Sequence, residues 1–114
     1  AVATNGDLYI ADMHHNRVRK VDARTSIIST VAGNGVFSRE GDDGPAIKAG
    51  LAGPAGIALA QEPGGKLSIY IADYYNGVIR VVDANGVIRS VTDEGRTAFG
   101  APTRVAFEPS PICP

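Results

Sequence analysis

The chain has 114 residues, of which 44% are hydrophobic, 6% are aromatic and none is Trp. Such a length and composition are ordinary for one globular domain and exclude collagenous, disordered and membrane-spanning classes. Eleven basic and 12 acidic side chains leave a net charge of −1, so no strong field is available to attract nucleic acid or anionic lipid. We therefore predict no membrane partner and disfavour nucleic acid as a partner.

The beginning of the sequence and its single cysteine bear on processing and compartment. The sequence begins at Ala1 without an initiator Met, so we expect either a processed chain or a part cut from a longer one. The only cysteine, Cys113, has no partner for an internal disulfide. The compartment of this expected soluble protein is therefore open, with secretion and the periplasm among the alternatives.

The first half of the chain predicts short strands. Residues 1–3 form a truncated strand that ends at the turn signal Asn5-Gly6. Further strands are expected around residues 9–12, 18–22 and 28–31, where polar and β-branched side chains are interleaved over five or six positions. A glycine-rich loop follows, in which residues 44–49 are the one candidate for a helical turn.

The second half of the chain predicts an antiparallel meander. Four strands are expected near residues 56–60, 67–72, 78–83 and 87–92. The segments between them are Pro63-Gly64-Gly65, Tyr75-Asn76-Gly77 and Ala84-Asn85-Gly86. Asn-Gly pairs are strong signals of short hairpins, so consecutive strands should be antiparallel neighbours. One more strand is expected near residues 104–108.

The two halves are diverged copies of one repeat. Tyr9-Ile10-Ala11-Asp12 returns 61 residues later as Tyr70-Ile71-Ala72-Asp73, and the flanking strands align as well. A second echo, at an offset of 48 residues, relates the segment from Leu51 to the segment from Phe99. We therefore predict a first unit with its following loop at residues 1–50, a second unit at 51–98, and the first strand of a third unit with a tail at 99–114.

The order of motifs in each copy resembles the NHL repeat. The motifs that carry the resemblance are Tyr9-Ile10-Ala11-Asp12, Asn16-Arg17-Val18-Arg19, Val31-Ala32-Gly33-Asn34-Gly35, Gly41-Asp42-Asp43-Gly44-Pro45-Ala46 and Leu51-Ala52-Gly53-Pro54-Ala55-Gly56-Ile57-Ala58. Two departures are visible: Gly77-Val78 stands where the family has a basic pair, and His15 occupies the position of Asn76. The resemblance implies a β-propeller in which the first strand of each four-stranded blade is innermost.

This resemblance gives the repeated aspartates and arginines a structural role. Asp12 and Asp73 end the second strand of each unit, where a carboxylate can accept backbone N–H groups of a turn or pair with Arg19 or Arg80. Because both pairs recur at the same repeat position, we interpret them as architecture rather than as catalytic groups.

The expected topology also predicts one candidate interaction face. In an up-and-down blade, the turns at residues 13–16 and 74–77 emerge beside the long connections at 33–55 and 93–102. The candidate residues on this face are His14, His15, Tyr74, Tyr75 and Asn76. Tyr and Arg are enriched at protein interfaces, so we expect a protein or ligand to bind there.

No catalytic or cofactor constellation is visible in the sequence. His14 and His15 are adjacent and far from the single cysteine, which does not fit a zinc site. Glu40, Asp42 and Asp43 lack the 12-residue ligand pattern of a calcium loop, and we expect these acids to be solvated. We therefore predict neither metal nor cofactor, and a non-catalytic interaction scaffold. A piece of a propeller enzyme, of the amidating-lyase or strictosidine-synthase type, and an RNA-binding NHL domain are the alternatives.

Two blades and a strand are fewer than a propeller requires. Propellers close with about 4 to 8 blades, and repeat units bury their faces against neighbours. We therefore expect either that copies of the chain associate, with the strand near Val105 pairing with another chain, or that the chain is a fragment. Protein partners, including copies of itself, follow from the first alternative.

Overall fold

The computed structural model describes residues 1–91 and consists of two packed antiparallel β-sheets. The prediction of an all-β chain is confirmed for this part. The end of the predicted strand at Thr92, the connection at 93–102, the third unit at 99–114 and Cys113 lie outside the described residues. Among residues 1–91, no helix is long and apolar enough to cross a membrane.

Sheet one has three strands in chain order: β1 (Leu8–Asp12), β2 (Arg17–Val21) and β3 (Ile28–Ala32). These correspond to the second, third and fourth strands predicted for the first unit. The predicted four-stranded sheet is wrong here, because the segment at residues 1–3 does not form a strand. It makes one isolated antiparallel bridge, from Val2 to Leu8, and Ala1 and Tyr9 exchange hydrogen bonds beside it.

Sheet two has four strands in chain order: β4 (Pro54–Gln61), β5 (Leu67–Asp73), β6 (Val78–Val82) and β7 (Ile88–Ser90). Each strand pairs antiparallel with the next one along the chain. The meander predicted for the second unit is therefore confirmed. Its strands are rich in β-branched residues, which suit a pleated surface.

The turns that follow β1 and β5 are short 3₁₀ helices rather than the tight Asn-Gly hairpin predicted for the second of them. They span Met13–His15 and Tyr74–Asn76, and each is followed by a left-handed residue, Asn16 at φ 54° or Gly77 at φ 69°. Two other segments also form single 3₁₀ turns, Ala46–Lys48 and Pro63–Gly65. The first of these is the predicted helical turn.

The core lies between the two sheets. Tyr9, Val18 and Ala32 of sheet one belong to the same buried cluster as the inward side chains of sheet two. The members from sheet two are Ile57, Leu59, Ile69, Ile71, Val82 and Ile88, and Ala46, Ala49 and Leu51 of the connecting loop complete the cluster. Burial raises the pKa of the Tyr9 phenol, and the neighbouring Asp7 carboxylate raises it further. Because Ala46, Ala49 and Leu51 are members of the buried cluster, the connecting loop belongs to the core as much as the strands do.

Gly33 provides a test of how closely the loop and sheet one approach. Its φ is +92°, and a Cβ there would clash with the Asn16 carbonyl and lie 2.9 Å from Arg17 Cα. We expect Gly33→Ala to lower the free energy of unfolding by about 2–5 kcal/mol, since it adds backbone overlap to left-handed strain. Gly64→Ala is the control, with φ +83° but open space around its Cβ, and should cost about 1–2 kcal/mol. Equal losses in urea unfolding would contradict the close approach.

The turn between β2 and β3 carries a carboxyl group with a lowered pKa. Backbone N–H groups of Arg24 and Thr25 donate to Asp22 Oδ1 at 2.9 and 3.0 Å, and these bonds lower the Asp22 pKa below its ordinary 3.8. Because the ionised Asp22 carboxylate accepts these bonds, it stabilises the folded chain fully at pH values above 3.8. This contribution is lost as the pH falls through the folded-state pKa. NMR titration should give a midpoint below 3.8 in the folded chain and about 3.9 in urea. Identical midpoints in both states would contradict this assignment.

Candidate functional site

The connection between the two sheets is a folded structure of its own. This segment, residues 33–53, is called the long loop below. Gly33 N–H donates to the Ala46 carbonyl at 2.9 Å, and Asn34 N–H donates to the Ala49 carbonyl at 2.8 Å. Gly50 N–H donates to the Glu40 carbonyl at 2.8 Å. These bonds cross the loop from one side to the other and give it a fixed shape.

Both 3₁₀ turns are attached to the long loop by hydrogen bonds. Gly53 N–H donates to Asn16 Oδ1 at 2.9 Å, and Asn76 Nδ2 donates to the Ser38 carbonyl at 3.0 Å. Tyr75 N–H donates to the Ala52 carbonyl at 2.9 Å. The turns at 13–16 and 74–77 therefore lie beside residues 33–55. We call this combined surface, formed by both turns and the long loop, the loop face.

The loop face carries a cluster of exposed aromatic side chains. Phe37 and Tyr75 are 62% and 63% exposed, with ring centroids 5.6 Å apart. Tyr74 meets Tyr75 edge to face at 4.7 Å. A Cβ at Gly53 would lie 2.6 Å from the Tyr75 ring, so the glycine lets this ring rest against the backbone. The cluster is a supported aromatic platform.

Phe37 and its neighbour Val36, which is 57% exposed, were not among the predicted site residues. The signal that could have identified them is an adjacent apolar pair inside a loop otherwise rich in Gly and polar residues. Two predicted members of the face, His14 and His15, are exposed on the turn after β1. His15 Nδ1 lies 2.9 Å from Asp12 Oδ1, so its ring is oriented toward sheet one.

Asp73 connects the long loop to sheet two. Its side chain is fully buried, and its Oδ1 accepts the Ala52 N–H at 2.7 Å. Its Oδ2 accepts from Arg80 Nη1 at 2.9 Å and from Asn76 Nδ2 at 2.7 Å. One carboxylate thus holds the loop, β6 and the second 3₁₀ turn together.

Arg80 is fully buried and is bound by a second carboxylate from the long loop. Its Nε and Nη2 donate to Asp42 Oδ1 at 3.1 and 2.9 Å, and its Nη1 also donates to the Gly50 carbonyl at 2.9 Å. Ser90 Oγ donates to the other Asp42 oxygen at 2.7 Å. The expectation that the acids of this loop are only solvated is therefore wrong for Asp42, which the buried guanidinium draws toward sheet two.

The equivalent pair in sheet one is much looser. Arg19 Nη1 lies 3.7 Å from Asp12 Oδ2, and both side chains are partly exposed. Arg19 Nε is buried and has no hydrogen-bond partner among the described residues. Among residues 1–91, no group of three or more His, Cys, Asp or Glu side chains is placed to hold a metal ion.

Comparisons with known proteins place the chain near two larger proteins. No model of a protein family matches the sequence. The sequence is 34% identical over 83 residues to the protein SUPPRESSOR OF QUENCHING 1, chloroplastic, of Arabidopsis thaliana. The aligned segment covers 73% of this chain and 7% of that protein. The fold resembles the crystal structure of an auxiliary nutrient binding protein from Bacteroides ovatus with a TM-score of 0.66, 17% identity and coverage of 88% of this chain and 29% of that one. The chain therefore spans a small part of either protein.

The two aspartates at the same repeat position should differ in their effect on stability. Asp73→Ala leaves a fully buried guanidinium without one of its carboxylates, so we expect a loss of about 3–5 kcal/mol. Asp12→Ala is the matched control and should cost about 0–1 kcal/mol, because its pair is long and partly exposed. Urea unfolding of both variants measures the difference. Losses of the same size would show that the buried Asp73–Arg80 pair stabilises the fold no more than the partly exposed Asp12–Arg19 pair does.

Proposed function

We propose that this chain is a segment of an NHL-type β-propeller and acts as a non-catalytic scaffold that binds a protein through its loop face. The observation that carries the binding proposal is the exposed Phe37–Tyr75 pair, held on a loop with a fixed shape. In this proposal each sheet is a blade, and β4 is the innermost strand of the second blade.

The strand order supports the propeller. Consecutive strands of each sheet pair antiparallel with their chain neighbours, as in the blades of a propeller. The two sheets also pack on each other, since Tyr9 and Val18 of one sheet belong to the same buried cluster as Ile71 and Val82 of the other. Repeat units of this kind bury their faces against one another. The likeness to the Bacteroides ovatus protein supports the fold alone.

The chemistry of the loop face supports recognition of a protein. Aromatic side chains are enriched in protein interfaces, and they lose little conformational entropy when they bind. Here the Tyr75 ring is already positioned by the Tyr75–Ala52 backbone hydrogen bond and by its contact at Gly53. Preorganisation of this kind lowers the cost of association.

The polar groups next to this face favour a scaffold over an enzyme. Asp73 and Arg80 form the most deeply buried charged pair among the described residues. Their hydrogen-bonding groups are already engaged by Ala52, Gly50, Asn76 and Asp42. These contacts assign the pair to holding the long loop, so neither group is available to act on a substrate.

The test is affinity capture from an extract of the source organism with three immobilised baits: the wild-type chain, Phe37→Asp and Ile27→Asp. Ile27 is 64% exposed, similar to Phe37, but lies in the turn between β2 and β3 at the other end of sheet one. We expect at least one protein to be retained equally by the wild type and Ile27→Asp, and to fall about tenfold or more with Phe37→Asp, as for a central aromatic hot spot.

Two controls complete this experiment. Ile27→Asp should change the free energy of unfolding by no more than about 0.5 kcal/mol. Phe37→Asp loses the ring contact with Tyr75 and should cost about 0.5–1.5 kcal/mol, so urea unfolding checks that both variant chains remain folded. The dissociation constant of the captured protein, purified, should then be measured against all three chains. Capture that is the same with all three baits, or no specific capture by the wild type, would overturn the loop face as the binding surface.

A further inference from the structure

The Arg17 side chain is held in one place on the loop face. Arg17 is the first residue of β2, and its Nη2 donates to the Asn34 carbonyl at 3.3 Å. Its guanidinium lies on the loop backbone at Gly35, where a Cβ would be 2.8 Å from Nη2 and 3.0 Å from Cζ. An arginine on a protein surface ordinarily samples many rotamers and loses that freedom when it binds a partner. Here the side chain is already positioned by the chain itself.

The guanidinium of Arg17 keeps most of its hydrogen-bonding capacity unused. An arginine has five N–H donors, but among the described residues Arg17 has one carbonyl acceptor and no carboxylate within ion-pair distance. Its cross-strand partner Asp12 contacts His15 and Arg19 instead. Arg80 differs, because its Nε, Nη1 and Nη2 all donate within the chain. A positioned guanidinium with unused donors is suited to bind a carboxylate through two parallel N–H···O bonds.

The aromatic platform begins next to this guanidinium. Gly35 and Phe37 are two residues apart, so their Cα atoms are separated by at most about 7 Å. Met13 extends the apolar surface, because its Cγ and the Tyr75 ring lie 3.8 and 2.6 Å from the position of a Gly53 Cβ. An extended peptide rises about 3.3 Å per residue, so about three of its residues cover the distance from Gly35 to Phe37. A cation and an apolar surface are therefore within reach of one short segment.

The charges around the platform favour an acidic partner. Within three residues of Phe37, the charged side chains are Arg39 and Glu40, which are both exposed and offset each other. The second 3₁₀ turn, Tyr74–Asn76, carries no charged side chain. The Arg17 guanidinium, which has no carboxylate partner among the described residues, therefore makes the local balance positive. Complementary charges across an interface give specificity.

We propose that the loop face binds an acidic linear segment of its protein partner. An aromatic or large aliphatic side chain of that segment packs on the Phe37–Tyr75 pair, and an Asp or Glu side chain close to it in sequence binds Arg17. This inference rests on the proposed function and names the chemistry of the partner. Single-stranded RNA also brings stacking rings and anions, but its binding sites are positively charged grooves that follow the backbone. The loop face holds a single guanidinium in place in this way among the described residues, and the whole chain has a net charge of −1, which favours the peptide.

The experiment is a selection of peptides on the whole chain. A phage library of random dodecapeptides, each fused at its carboxyl end, is panned against three immobilised baits: the wild type, Arg17→Gln and Arg24→Gln. Arg24 is the matched control, since it is exposed in the turn between β2 and β3 and its loss changes the net charge equally. We expect the wild type and Arg24→Gln to enrich peptides that carry an aromatic or large aliphatic residue with an acid within about three positions. Arg17→Gln should keep the apolar preference and lose the enrichment of acids.

The most enriched peptide is then synthesised, and its dissociation constant is measured by fluorescence anisotropy. Arg17→Gln should weaken binding by about tenfold or more, because a charge-assisted pair is lost, and Arg17→Lys should recover little of it, because lysine lacks the planar fork. Arg24→Gln should stay within about twofold of the wild type. Phe37→Asp should weaken binding by about tenfold, as expected for a peptide that lies on the platform. Urea unfolding verifies that each variant is folded.

The outcomes separate this inference from the proposed function. Enrichment of apolar residues without acids, or of acids equally by Arg17→Gln, would refute the inference and leave the loop face as a protein-binding surface. The absence of any enriched peptide also refutes it, because the face then does not bind a linear segment, while capture from the extract judges the proposed function separately. A fluorescent oligouridine tests the rival ligand: binding by the wild type that Arg17→Gln and Phe37→Asp both abolish would assign the loop face to RNA instead.

Discussion

The buried guanidinium of Arg80 is the group on which the arrangement of the chain depends. A fully buried charge carries a large desolvation cost, which only well-placed opposite charges and hydrogen bonds can offset. Asp73 supplies one carboxylate from the end of β5, and Asp42 supplies the other from the long loop. Because Asp42 is 38 residues away in sequence, satisfying Arg80 requires the loop to fold back over sheet two. Arg80 also donates to the Gly50 carbonyl, and this bond holds the second half of the long loop against sheet two.

The shape that this charge imposes on the loop extends to the loop face. The loop ends at Gly53, whose N–H is bound by Asn16 of sheet one, while Ala52 is bound by Asp73 of sheet two. The two sheets therefore meet through consecutive backbone groups of one segment. Tyr75 is positioned from the same place, since its N–H donates to the Ala52 carbonyl. The aromatic platform and the joint between the sheets are consequences of the same few hydrogen bonds.

The strands could be predicted from the sequence, but the long loop could not. Alternating β-branched residues and Gly-containing turns identify β1 to β7 because these signals are local. The Asp73–Arg80 pair was also within reach, since the repeat places both residues on neighbouring strands seven positions apart. Asp42 was misjudged because its partners Arg80 and Ser90 are 38 and 48 residues away, and no periodic pattern relates them. Phe37 was missed for the same reason, because its neighbour Tyr75 is close only once the loop has folded back.

The contact between the two sheets has a direction. In sheet two the turn residue Asn76 donates both to Asp73 and to the Ser38 carbonyl of the loop, whereas its equivalent His15 contacts Asp12. The turn after β5 in sheet two thus binds the loop that precedes that sheet. Sheet one has a guanidinium and a hydroxyl at the same positions, Arg19 and Thr30, but its Arg19–Asp12 pair is longer, at 3.7 Å. Sheet one packs on sheet two with Tyr9 and Val18, which lie on the face opposite to that of Ile10 and Arg19. A contact of this kind is heterologous, so it can repeat along a series of units, and it closes only if the rotation between units brings the last face to the first.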